Sequence, residues 1–333
     1  MSVAQRPHHT AAAKRGASRP VACAAPAPNA QPLQAAKGCR RRQVLALPLL
    51  TAAATLLSPL AARATEDLRT AEFAELEALA KGSYQKRQLP LALDCLTELI
   101  RREPDVPVWR ERRGQVFVDL KRFEEALADF DAAERGEQAQ NVTSLGLLAN
   151  RALAYEGLSR WGDAIKDYDR SLQLAESTGF AQPYVLNSRG NCYAALGQWE
   201  AALADYRQAT KVFRQIKNLS GVVYAESNTA LVEAQLGLPE AEQHMQAAAR
   251  RAAGSIDMRA ALASLSWARG DEQKAEELWG FACERINSGV QAPGGPSLDG
   301  CALYRDDTWV RTVRRWPPLM ADKLADFVAL RHR

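Results

Sequence analysis

Beyond residue 64, this chain of 333 residues carries two histidines, His244 and His332, and four cysteines, Cys95, Cys192, Cys283 and Cys301. A zinc or redox site needs such ligands in close-set pairs, and a helical metalloprotease site needs two histidines one turn apart. Neither spacing occurs. No glycine-rich loop ending in Lys-Ser or Lys-Thr is present to cradle a phosphate. Gly294-Gly295 lies in a Gly/Pro/Ser-rich stretch with no strand before it, so 287–305 reads as a loop. Cys95 and Cys192 fall among apolar residues, where a thiol behaves as a small hydrophobe. Cys283, at a helix end, and Cys301, in the loop, are the two thiols placed to meet. The carboxylates Glu124, Glu125, Asp129 and Asp131 read as a solvated helix face. No nucleophile, base and orienting group converge, so the reading is a non-enzyme with no cofactor, no metal and no small-molecule substrate.

What the chain does carry is a packing pattern. Phe123 to Phe130, Trp161 to Tyr168 and Trp199 to Tyr206 are three similar segments in which an alanine (Ala126, Ala164, Ala202) precedes an aromatic by four residues. Ala275 and Trp279 form a looser copy. Twelve residues before each of the first three alanines stands a small residue with an aromatic three positions on: Gly114 and Phe117, Ala152 and Tyr155, Gly190 and Tyr193. Weaker units at Ala92 and Ala241 complete six, spaced by 34 to 39 residues. Antiparallel helices approach closely only where a small side chain sits at the crossing, and the aromatics then fill the space between hairpins. A single hairpin cannot cover its own apolar face, so neighbours must stack. The longer steps exceed the shorter by about one helical turn, which predicts extended helices in 134–150, 172–186 and 210–230. Gly157, Gly197, Gly237 and Gly270 stand near first-helix ends, where a left-handed residue is expected.

These segments resemble the tetratricopeptide repeat family, whose 34-residue unit has a small residue and an aromatic on its first helix and A-x3-F/Y on its second. The resemblance covers roughly residues 73–286. It implies an all-α fold: a right-handed superhelical solenoid of about six helix hairpins, over 65–286, with capping helices in 306–333. It also implies a groove lined by the first helices that accepts a protein segment. With Gly114, Ala152 and Gly190 as the eighth position of each unit, the groove residues are Glu111, Gln115, Asp119, Ala149, Leu153, Glu156, Tyr184, Asn187 and Asn191. None is a lysine, which argues against the family's carboxylate-tail clamp.

In the tail, Asp306 and Asp307 can cap a short helix with Trp309, Val313 and Trp316 on one face. Met320, Leu324, Phe327 and Val328 share a face of a second helix started by Pro317-Pro318. The pair reads as a cap over the last hairpin, and Trp309, Arg315 and Trp316 as a docking patch. The segment 307–318 is similar to the ends of plastid and cyanobacterial tetratricopeptide proteins.

Charge sorts the rest. The formal net charge is +4, yet nine basic residues precede Thr65 and the first acid is Glu66. The remaining chain is net acidic, against a nucleic-acid-binding helical repeat, whose affinity would come from phosphate neutralisation. Residues 1–38 have the acid-free, arginine-bearing composition of an organelle transit peptide. In 39–64, Arg41 and Arg42 precede an apolar run that ends at Ala62-Arg63-Ala64, the form of a twin-arginine-like signal peptide. Such two-part leaders resemble those of thylakoid-lumen proteins; an exported bacterial protein is the other reading. In an oxidising lumen Cys283 and Cys301 could form a disulfide. The expectation is a protein-binding scaffold of the chloroplast thylakoid lumen, peripheral to the membrane through a partner, that aids a photosynthetic complex.

Overall fold

The computed structural model describes residues 68, 70–179, 181–252, 255–286 and 300–330. The leader readings, with Arg41, Arg42, Ala62 and Ala64, lie outside the described residues, as does His332. The described part is all-helical. Six consecutive pairs make six hairpins: α1 (Phe73–Gln85) with α2 (Leu89–Arg102), α3 (Pro107–Asp119) with α4 (Phe123–Ala139), and α5 (Leu145–Gly157) with α6 (Trp161–Thr178). Then come α7 (Pro183–Ala195) with α8 (Trp199–Gln215), α9 (Leu219–Gln235) with α10 (Ala241–Arg251), and α11 (Asp257–Ala268) with α12 (Glu272–Gly280). Each helix packs on the next, so the second helix of one hairpin meets the first of the following one.

Local chemistry sets the boundaries. Prolines open α3 and α7, where a missing N–H costs nothing. The side chains of Ser144, Asn218 and Asp271 accept hydrogen bonds from the backbone amides of Leu147, Gly221 and Lys274, capping α5, α9 and α12. Within every hairpin one residue of the turn is left-handed: Arg87, Lys121, Ser159, Gly197, Gly237 and Gly270. Glycine supplies only three of the six, so the turn is imposed by packing as well as by residue type. Gly157 is not one of them. A Cβ there would come within 2.4 Å of the Phe123 ring, and its smallness serves that contact instead.

The crossings are built as the spacing demands. Phe130, Tyr168 and Tyr206 are buried, and Ala126, Ala152, Ala164 and Ala202 are wholly inaccessible. A Cβ on Gly114 or Gly190 would stand 2.7 Å from the ring of Phe130 or Tyr206. Phe117 is buried and Tyr155 and Tyr193 are half-buried, with Arg122, Arg160 and Arg189 over their rings. The second helices α4, α6 and α8 reach 17, 18 and 17 residues, against 9 in α12. They do not run through the expected windows. Asn141, at φ 56°, Gly179, at φ 73°, and Lys217, at φ 56°, turn the chain, and the next first helix starts within a few residues.

The end of the chain differs from the loop-then-cap expectation. A π-turn, Phe281–Ile286, continues α12, and Gly300–Arg305 forms a helix (α13) inside the segment expected to be loop. A Cys283–Cys301 disulfide ties the two. Helix α14 (Asp307–Thr312) is capped by Asp306 but stops at Thr312. Val313 is therefore 63% exposed while Trp316 is 3% exposed, and the two do not share a face. The cause is local: Trp316 precedes Pro317, which disfavours helical backbone, and Arg315 is left-handed at φ 59°. Helix α15 (Pro318–Leu330) buries Met320, Leu324 and Phe327 in one cluster with Met258, Trp279 and Ala275. Trp267 and Trp279 flank the Phe327 ring at 5.6 and 5.4 Å. The apolar side of the last hairpin is thereby covered.

Candidate protein-binding groove

The expected groove residues fall on the first helices α3, α5 and α7, but in different environments. Glu111 and Gln115 are half-buried, and burial, reinforced by Glu137, raises the Glu111 carboxyl above the usual range. Asp119 accepts a 2.8 Å hydrogen bond from Arg87 Nη1. Burial first, and Asp119 second, push the neighbouring Tyr84 phenol up to about 12. Ala149 packs on the core of the third hairpin and Leu153 is exposed. Tyr184 is exposed, edge-on to Phe213 at 4.8 Å, and its hydroxyl accepts from Asn218 Nδ2 at 2.6 Å.

The remaining three converge. Glu156 is only 6% exposed and accepts from the Tyr168 hydroxyl at 2.6 Å and from Arg315 Nη1 at 2.5 Å. Asn191 Oδ1 accepts from the Tyr206 hydroxyl at 2.8 Å. Asn228 Nδ2 donates to Oδ1 of Asn187 and of Asn191 at 3.3 and 3.4 Å, joining α7 to α9. Arg314 Nη1 in turn donates to Asn228 Oδ1 at 2.9 Å. A cavity of about 810 Å³ opens beside this cluster, with Glu156, Asn191, Trp161 and Trp199 in its wall.

The tail groups read as a docking patch point inward. Arg315 crosses to Glu156 and lies 4.9 Å over the Trp161 ring. Burial alone disfavours its charge, but the Glu156 carboxylate outweighs that and holds the guanidinium above its usual value. Trp316 Nε1 donates to Asp257 Oδ1 at 3.0 Å, and Trp309 stands edge-on to Tyr304. Asp257 also receives both the Tyr304 hydroxyl, at 2.9 Å, and a forked pair from Arg314 at 3.0 and 2.6 Å. Asp257, Asn228 and Arg314 escaped sequence reading, since no spacing links residues up to 86 positions apart.

A second set was legible but overlooked. Arginine directly precedes each small residue and aspartate directly precedes each aromatic, 16 positions on. Arg113 forks to Asp129 at 2.6 and 2.7 Å, Arg151 to Asp167 at 2.7 and 2.9 Å, and Arg189 to Asp205 at 2.8 and 2.7 Å. Asp129 is thus buried rather than part of a solvated face. Arg151 also reaches Asp131 and Glu134 on the preceding hairpin. Cys95 and Cys192 are buried free thiols. Among the described residues no cluster of three or more His, Cys, Asp or Glu is arranged to hold a metal ion. No described helix is long and apolar enough to cross a membrane.

Residues 143–215, which include the third and fourth hairpins, match the tetratricopeptide repeat family. The tetratricopeptide fold extends well past that segment. RapI in its apo form superposes with a TM-score of 0.55 at 14% identity, over 79% of this chain and 98% of that one. A tetratricopeptide repeat protein from Parabacteroides merdae gives 0.51 at 16% identity, over 77% and 98%. BtubC from P. vanneervenii gives 0.51 at 16% identity, over 66% and 95%. No curated protein matches the chain. At such identities the likeness is one of fold. The described residues form an all-α solenoid of tetratricopeptide type.

Proposed function

We propose that this chain is a non-catalytic protein-binding scaffold of the thylakoid lumen, where it aids assembly or maintenance of a photosynthetic complex. One observation carries the binding reading: the first helices of a tetratricopeptide-type array place Glu156 and Asn191 in the wall of an open cavity, with Asn187 behind them on the Asn228 amide that also bonds Asn191. A carboxylate and an amide set in an aromatic-walled cleft suit the side chains of a protein segment better than phosphate or lipid. The compartment rests on the two-part leader in the sequence, and the role in a complex on the compartment. Purification from thylakoids by an affinity tag on the C-terminus, with identification of co-purifying proteins, tests the reading. Stoichiometric recovery of one complex subunit is expected, reduced by Glu156→Lys with Asp119→Lys. Recovery of nothing, or of the same proteins by the doubly substituted chain, rejects it. A fluorescent fusion that stays outside the plastid rejects the compartment.

A further inference from the structure

The first-helix face already holds an occupant, a segment of the same chain that also forms one wall of the cavity. Residues 306–318 leave the last hairpin and seat two guanidiniums on the first-helix face. Arg314 lies 5.4 Å over the Tyr224 ring, forks onto Asp257 and reaches Asn228. Arg315 lies over Trp161 and pairs with Glu156, which sits in the sequence 159 positions away. Four helices, α5, α6, α9 and α11, supply these two carboxylates and two rings. Arg315 takes this seat with a left-handed backbone, disfavoured for any residue with a Cβ.

We infer that this face reads protein segments in which an arginine stands beside an aromatic residue, and that 306–318 is its resident competitor, a strap that a partner displaces. The inference rests on the scaffold reading above and names the chemistry of its partner. A carboxylate pairs with a guanidinium while a flat ring stacks on it, a combination that selects arginine over lysine. Lys121 also lines the cavity, and the face offers two carboxylates, so a segment with one or two arginines flanked by apolar residues is favoured over a uniformly basic one. Trp161 and Trp199 offer that apolar surface.

Cys192 supplies the test. It is wholly buried on α7, and burial followed by the nearby Glu156 carboxylate raises its pKa, with Arg315 close enough to oppose the shift. Cys95, equally buried, belongs to the separate core of the first hairpin. In the full chain, Arg315→Ala removes a charge that lowers the Cys192 pKa, so faster labelling can come only from access; Cys192 should react with a thiol reagent about tenfold faster and Cys95 should be unchanged. A synthetic peptide with the sequence of residues 306–318 should slow Cys192 labelling again in that variant, and the same peptide with both adjacent arginines replaced by glutamine should not. Glu156→Gln keeps the shape and the Tyr168 hydrogen bond; it should also speed Cys192 labelling and abolish protection by the peptide. An unchanged Cys192 rate in both variants, a matching rise at Cys95, or equal protection by the glutamine peptide overturns the inference. Partner recovery by the unaltered chain is independent of these rates. A chain that recovers its partner but fails the thiol tests loses the strap alone.

Discussion

Hairpins 2, 3 and 4 each join their two helices with a forked Arg–Asp pair, whereas hairpin 6 has Leu262 and Leu278 at the same positions and is held by the tail. The contrast follows from what each hairpin has on either side. An internal repeat is shielded from water by both neighbours, so a charged pair placed there is largely buried, most fully at Arg151 and Asp167, and must be matched. The last repeat has one open side. Its apolar surface is met by α15, with Phe327 between Trp267 and Trp279, and by a disulfide that ties α13 to the end of the hairpin. The middle of the molecule specifies its register through charge. The end obtains its stability through area.

That contrast can be broken at either end. Phe327→Ala should have the largest effect, a loss of about 3–5 kcal/mol in chemical denaturation, because a wholly buried ring leaves a cavity that the two tryptophans cannot fill. Asp167→Ala should come next, at about 3 kcal/mol, since it leaves Arg151 buried with only Asp131 and Glu134 as partners. Burial works against the charge of Arg151, yet Asp167 and Glu134 outweigh it, so the guanidinium will not shed its proton to escape. Replacing both partners, Arg151→Met with Asp167→Leu, should restore most of the loss. A double variant no better than the single one would mean that the fork is a source of stability rather than of register. Replacing Cys283 and Cys301 by serine should cost about 2–3 kcal/mol, as expected for a ring of this size, and reduction of the parent should reproduce it.

The smallest effect concerns acid. Glu98 is held at about 2 by hydrogen bonds from Arg101 and then Arg102, with Arg102 also bonded to the carbonyls of Ala71 and Leu68. A carboxyl with a depressed folded-state pKa contributes stability above its unfolded value near 4.5, and that contribution disappears as the pH falls toward 2. Glu98→Gln should flatten the stability profile between those values and leave the slope above pH 6 unchanged. An unaltered profile in Glu98→Gln would mean that the Arg101 and Arg102 pairs do not hold hairpin 1 in its folded state.

How far the sequence reaches depends on the distance a contact spans. Small residue, aromatic and alanine recur at fixed short offsets, so Gly114 under Phe130 and Gly190 under Tyr206 could be expected from spacing alone. The Arg–Asp forks obey the same rule and were legible in the same rows. Turn chemistry was legible in part. Gly197, Gly237 and Gly270 announce their left-handed turns, but Arg87, Lys121 and Ser159 adopt the same conformation without any residue-type signal. Of the groove, the positions on α3, α5 and α7 followed from the repeat register. Their partners did not.

The sequence by itself determined six hairpins, their crossings and the acidic character of everything after the first 64 residues, because each depends on residues within one or two helical repeats. Tertiary structure decided the direction of the tail. Trp309, Arg315 and Trp316 read from the sequence as a docking patch, yet Glu156 and Asp257 draw Arg315 and Trp316 inward from two different hairpins. No local period encodes that, since the carboxylates that receive the tail are brought within its reach only by the stacking of the hairpins.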